Sequence, residues 1–398
     1  MSPRRLRVAA ALLACGLVAT ACSGTAREHA DPPPSSPSPS DHAEHSSVPS
    51  SPSAAAQPAR SSPLRAGERI ATVAMPTPYL PSAPYGAGTD DYRCFLLDPH
   101  LTKDAFITGL NILPGTKDVV HHVILFRAPP DALAAARARD AADPGEGWTC
   151  FGGTGLEGRD AVSDAPWLGA WAPGGKEQVL AKDVGIPMKA GSQVIMQVHY
   201  NLLAGPRPDV TSAQLRLAPS TKKLAALDTM LLPAPVELPC RPGHDSSPLC
   251  DRDNALADVQ KRFGQEVGLT ANYLHLLCGP LDPGPTQSCS QTVREPATIR
   301  AVAGHMHLLG KSIKIEVDPG TPKAKTVLDI PVWDFDNQGA KPISPVKLSP
   351  GDTVKVTCRH DQHIRDLLPA FKGQPERYVV WGEGTTDEMC LGILLVTH

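Results

Sequence analysis

Apolar residues in this chain fall mostly in short runs, several of them alternating with polar ones, and the runs are separated by Pro, Gly and Asp. The stretches 119–126, 193–202, 298–317, 353–358, 379–381 and 391–397 are rich in Val, Ile and Thr, which at this length favours strands over helices. Many short strands with loop punctuation predict an all-β body of β-sandwich type. A helical pattern occurs only over 131–142 and 253–263, each expected as an excursion between strands. A shift in composition near 218–222 divides the body into two tandem β-sandwich domains, 66–220 and 221–398, the second with a cysteine-rich insertion over about 233–295.

The start of the chain breaks this pattern. Arg4, Arg5 and Arg7 precede an apolar run over 8–18, followed by Ala19, Thr20, Ala21 and Cys22, which is the layout of a secretory signal over 1–22. The run is too short for a permanent membrane span. Its Ala-Thr-Ala-Cys end is similar to the cleavage box of bacterial lipoproteins, so Cys22 is the expected lipidation site. Residues 23–65 are mainly Pro, Ser and Ala and lack the apolar surface needed to offset ordering entropy, so a disordered linker is expected. His29, His42 and His45 in or beside it are expected to be solvated.

Charge and cysteine count narrow the function. The net charge of −3 over 398 residues, with neither sign clustered, argues against a nucleic-acid partner. Ten cysteines are present; with Cys15 and Cys22 assigned to the signal, eight remain, an even number that implies disulfides in an exported chain. None of the eight forms a Cys-x-x-Cys pair, which weakens a zinc or thioredoxin-like reading.

Histidines carry the candidate chemistry. In a strand, His305 and His307 project from one face with Met306 opposite, so two imidazoles can share a metal. A thioether from a distant strand, Met389, would make that site soft and favour copper, Cu(I) above all. His121 and His122 are adjacent in a strand-like run and face opposite ways unless the strand is bulged or different ring nitrogens are used. Gln197 shares a strand face with His199, and a hydrogen bond between them is expected.

Taken together, His121-His122-Val123, then Gln197-Val198-His199-Tyr200, then His305-Met306-His307-Leu308-Leu309-Gly310-Lys311, then Asp387-Glu388-Met389-Cys390 resemble, in order and approximate spacing, the copper type II, ascorbate-dependent monooxygenases. That family includes peptidylglycine α-hydroxylating monooxygenase and dopamine β-monooxygenase, and the likeness runs from about Tyr92 to the C-terminus. It implies two jelly-roll-like β-sandwich domains, each holding one copper across a solvent-filled cleft. His121, His122 and His199 would hold the copper that relays electrons, with Gln197 and Tyr92 beside them. His305, His307 and Met389 would hold the copper at which dioxygen is activated, and are the implied catalytic residues. The family pattern further implies disulfides Cys94–Cys150 and Cys358–Cys390.

The implied reaction is hydroxylation of an aliphatic C–H bond of a small organic substrate. It would use dioxygen, two copper ions, and ascorbate or another one-electron reductant. The chain would be a cell-surface lipoprotein or a secreted protein, touching a membrane only through Cys22. The insertion departs from the family; on loop length alone its cysteines are paired Cys240–Cys250 and Cys278–Cys289, and His244 and His275 are expected at the surface. Peptide-amidating members clamp a substrate carboxylate with Arg, Asn and Tyr where this chain has Ala303, Leu391 and Ile393, so an apolar or uncharged substrate is expected. Two rival readings remain: an extracellular copper-binding protein without turnover, and a zinc hydrolase with a three-histidine site, which leaves Met389 unused.

Overall fold

The patterned runs form strands. The computed structural model describes residues 62–84, 89–156 and 167–398, so the signal over 1–22, Cys22 and nearly all of the linker lie outside the described residues. The first half contains β1 (Arg69–Ala74), β2 (Asp90–Leu97), β3 (Ala105–Leu113), β4 (Val120–Ala128), helix α1 (Leu133–Ala142) and the short β5 (Trp148–Thr149). It continues with β6 (Trp167–Trp171), β7 (Gln178–Val179), β8 (Val184–Met188), β9 (Gln193–Asn201) and β10 (Ser212–Pro219). The second half begins with β11 (Ala225–Pro233), β12 (Glu237–Leu238), α2 (Arg252–Phe263) and α3 (Gln265–Cys278). Strands β13 (Thr286–Thr292), β14 (Ala297–His305), β15 (Gly310–Val317) and β16 (Lys325–Ile330) follow. The chain closes with β17 (Lys341–Leu348), β18 (Thr353–His360), β19 (Val379–Val380) and β20 (Leu391–Thr397).

The architecture is of β-sandwich type. In the first half, a five-stranded sheet in the order β5-β2-β9-β4-β6 packs on strands β1-β10-β3-β8. Val123, Leu125, Met196 and Val198 meet Ile107, Leu110 and Leu215 in the core between them. The opposite face of β4 and β9 is covered as well, Phe126 and Ile195 packing with Ala136 of α1 and with Trp148. A strand covered on both faces needs no polar side, which is why β9 reads Gln-Val-Ile-Met-Gln-Val-His-Tyr with every one of these residues buried.

In the second half, β11-β20-β14-β17 faces β13-β18-β15-β16, with Ile299, Val302 and Leu394 against Ile313, Ile315 and Val356. Strand β8 pairs in parallel with β11 through Val184↔Ala225 and Gly185↔Ala226. One nine-stranded sheet therefore runs through both halves, although the chain turns between β10 and β11.

The insertion contributes more helix than the sequence pattern predicts. α2 starts where the Asp251 side chain accepts from the Asn254 amide and stops at Gly264, whose φ of 93° is open to glycine but not to larger residues. α3 follows at once and was not expected. Gly268, Thr270 and Asn272 interrupt its helix-favouring residues, and apolar residues fall on nearly all sides, so it shows no clear 3.6-residue stripe. His275 departs from the expected surface position: on α3 it is largely buried, its Nε2 2.7 Å from Glu237. His244 is more than half exposed.

Four disulfides join Cys94–Cys150, Cys240–Cys250, Cys278–Cys289 and Cys358–Cys390. Four such bridges indicate an oxidising, extracytoplasmic environment. No helix among the described residues is long and apolar enough to cross a membrane.

Candidate metal centre

Strand register assembles the first histidine set. On the five-stranded sheet, Tyr92 of β2 pairs with His199 of β9, and His199 pairs with His122 of β4. The β4/β9 register shifts between Val120 and His122, so His121 is the extra residue of a bulge. That bulge turns two consecutive histidines toward one point. His121 Nδ1 lies 3.0 Å from His199 Nδ1 and 3.2 Å from His122 Nδ1, which is 3.3 Å from His199 Nδ1.

A tetrahedral ion bound at about 2.0–2.1 Å would hold such nitrogens about 3.3 Å apart. The donor set therefore fits a metal, and these three residues form the one group of this kind among the described His, Cys, Asp and Glu side chains. The far nitrogen of His199, Nε2, donates to Asp90 Oδ1 at 2.8 Å, which leaves Nδ1 with its lone pair. Tyr92 stacks on the His199 ring at 3.9 Å and 13°. Gln197 does not bond His199. Its amide donates to the carbonyls of Cys150 and Gly153, because the Cys94–Cys150 bridge brings that loop within reach first.

The second set sits where β14 ends. His305 is the last residue of β14 and His307 lies in the turn before β15, so the two rings meet at 5.2 Å and 82° across a turn rather than along one strand. His305 Nδ1 donates to Gln338 Oε1 at 2.6 Å and His307 Nδ1 faces the Asp387 carbonyl at 3.3 Å. Both contacts place the ring proton on Nδ1 and leave Nε2 bare; His307 Nε2 is buried with no partner, a fitting state for a ligand atom.

Met389 is brought to this region by Glu388. The fully buried Glu388 carboxylate accepts from the amides of His307 (2.9 Å), Leu309 (2.5 Å) and Met389 (3.2 Å), tying the His-x-His turn to the methionine segment. His360, which no sequence pattern singled out, adds Nε2 at 3.2 Å from the Met389 carbonyl. Asp387 is pinned in turn by Arg262 of α2 through a two-pronged pair at 2.6 and 2.8 Å. The bridge Cys358–Cys390 fixes the residue after Met389.

The two sets lie close to one another. The rings of His122 and His305 are 5.9 Å apart, and His121 stacks on Phe335 at 4.7 Å. Direct bonds between the halves hold them together: Tyr92 donates to the Glu383 carbonyl at 2.6 Å, and Thr385 donates to Asp90 through both its amide and its hydroxyl. Beside the histidines is a cavity of about 680 Å³ walled by both halves, with Tyr92, His122, Trp167, His305, Met389 and Leu391 in its lining. Ala303, Ile393, Gln197 and Glu383 line it as well.

Burial shapes the protonation states. Burial, and then the neighbouring imidazoles, hold His121 and His122 well below the usual histidine range, and the same causes lower His305 to about 3. His199 is lowered by burial despite the opposing Asp90. All four are therefore neutral at pH 7, the state in which an imidazole binds a metal. Burial alone would raise Asp90, but hydrogen bonds from His199 and Thr385 outweigh it and keep the carboxylate ionised.

The chain matches no family model and no curated protein. Among solved structures it is similar to PNGase F, a glycosylasparaginase from Flavobacterium meningosepticum, with 9% identity and a TM-score of 0.31 over 82% of this chain and 96% of that one. An allantoicase is matched at 12% identity and a TM-score of 0.18, over 79% of this chain and 90% of that one.

Proposed function

We propose that this protein is a copper-dependent monooxygenase of the copper type II, ascorbate-dependent kind, inserting one atom of dioxygen into an aliphatic C–H bond of a small organic substrate. The reaction balances as R–H plus dioxygen, two electrons and two protons giving R–OH and water, the electrons coming one at a time from ascorbate or a similar donor. The observation that carries this reading is the apposition of two histidine sets, three converging Nδ1 atoms beside the His305–His307 pair, on a cavity that Met389 also lines.

Bound copper would supply one-electron storage and dioxygen activation; His121, His122 and His199 would hold one ion, and His305, His307 and Met389 the other. The remaining work is done by the chain. Asp90 and Tyr92 fix the tautomer and tilt of His199. Gln338 and the Asp387 carbonyl orient His305 and His307, while Glu388 keeps the methionine segment in register with them. Ala303, Leu391 and Ile393 present apolar wall where a hydrocarbon must lie, and exclude water from the reacting carbon. An export signal with a lipid at Cys22 would place this activity at the cell surface.

The test is incorporation of label from heavy-isotope dioxygen into small molecules of a culture extract, with copper-loaded protein, ascorbate and a His307→Ala control. A labelled product made by the wild type alone supports the reading. Two bound coppers that ascorbate reduces, with no labelled product, would turn it toward copper binding without turnover.

A further inference from the structure

The cavity wall contains a buried acid, without a cationic partner among the described residues, that the proposed reaction does not use. Glu383 lies in the segment between β19 and β20 and is 6% exposed. Its carboxylate accepts from the Gly152 amide; Gly152 has a φ of 68°, which favours glycine, and a Cβ built there would sit 3.2 Å from Oε1. The nearest charged neighbour in its own segment is Asp387, a buried carboxylate whose oxygens are occupied by Arg262 and the Gly384 amide. The neutral phenol of Tyr92 lies beside it, donating to the Glu383 carbonyl. An acid in that setting keeps its proton: burial, then Asp387, push Glu383 up to about 8, against the Gly152 amide. Of the other charged groups on the cavity, Lys176 and Asp336 are exposed, Asp228 is half-buried, and Glu177 is paired with Arg216 at 3.0 Å. The walls nearest the histidines are Ala303, Leu391, Ile393 and Met389.

We infer that the cavity is a binding site for a neutral, mainly apolar molecule bearing one hydrogen-bond acceptor, such as a ketone or ether oxygen, which Glu383 receives as a carboxylic-acid donor. A buried donor set beside an apolar wall is how a site orients a ligand of this kind. A volume near 680 Å³ accommodates a molecule of drug-like size. The buried donor also discriminates, since a ligand without an acceptor leaves it unpaired. As a substrate class the assignment rests on the monooxygenase reading; as a ligand site it does not, and so the test is one of binding.

Three matched probes are titrated calorimetrically into the full chain, as purified and again after metal removal: 4-phenylcyclohexanone, phenylcyclohexane and 4-phenylcyclohexylamine. The ketone is expected to bind most tightly, about tenfold or more above the hydrocarbon. Glu383→Gln retains a donor and is expected to keep the ketone within about threefold, whereas Glu383→Leu loses it by about tenfold and gains for the hydrocarbon. Circular dichroism confirms that both variants are folded. Tightest binding of the amine, unchanged ketone affinity in a folded Glu383→Leu, or no binding of the ketone would each overturn the assignment. Ketone binding without labelled product would leave this site standing and remove the reaction; labelled product with a Glu383→Leu of unchanged affinity would do the reverse.

Discussion

Single side chains in this centre are held by others that do not themselves face the metal position. Asp90 is the clearest case, joining His199 on one side to Thr385 on the other. Asp90→Asn removes its charge at constant size, and the expected result is a loss of about 10–100-fold in affinity of the first set for copper, read by competition with a chelator. Met389→Leu is expected to retain the fold and the first copper while abolishing copper–sulfur scattering in X-ray absorption; unchanged scattering would remove Met389 from the ligand set. Protonation gives two opposite pH signatures. The buried imidazoles are lowered, so below the ordinary value near 6.5 the unfolded chain binds protons that the folded chain refuses, and metal-free stability falls as pH drops from 6.5 toward the His305 value of about 3. Glu383 is raised, so between 4.5 and about 8 the folded chain holds a proton that the unfolded chain releases, and its contribution is lost as pH rises through that window. Glu383→Gln should therefore be more stable relative to wild type at pH 8 than at pH 4 in urea unfolding.

Elements differ in how plainly the sequence announces them. Strands β4, β9 and β20 were legible because their apolar runs are long enough and rich enough in Val and Ile, and α1 and α2 because their patterns keep a helical period. The adjacent histidines required a bulge for a common metal, and the β4/β9 register supplies it. Less was legible where a contact depends on what lies across the fold: Gln197 goes to the Cys150 loop, His360 reaches Met389, and the His-x-His pair closes over a turn. The insertion shows the same limit. Nothing in the local pattern of α2 indicates that Arg262 would hold Asp387, two residues before Met389, while Phe263 meets Phe151 of the first half at 5.1 Å. Arg262→Met leaves a buried carboxylate without its partner, and is expected to cost about 3–5 kcal/mol in chemical unfolding and to weaken copper at the second set more than at the first.

The whole molecule is tied together twice, by a sheet and by a site. Strands β8 and β11 join the halves edge to edge, and Asp90–Thr385 and Tyr92–Glu383 join them at the histidines. Neither half can open fully without breaking bonds of the other, so thermal unfolding with disulfides intact is expected as a single transition with equal calorimetric and van't Hoff enthalpies. Two separated transitions would show that the shared sheet does not couple the halves. The bridge between Cys358 and Cys390 also imposes an order on biogenesis. Because Cys390 adjoins Met389, the methionine segment is secured only after that bond closes, and closure requires an oxidising compartment. On the monooxygenase reading, the second set would therefore be completed only once the chain has reached such a compartment, and would take up its metal there.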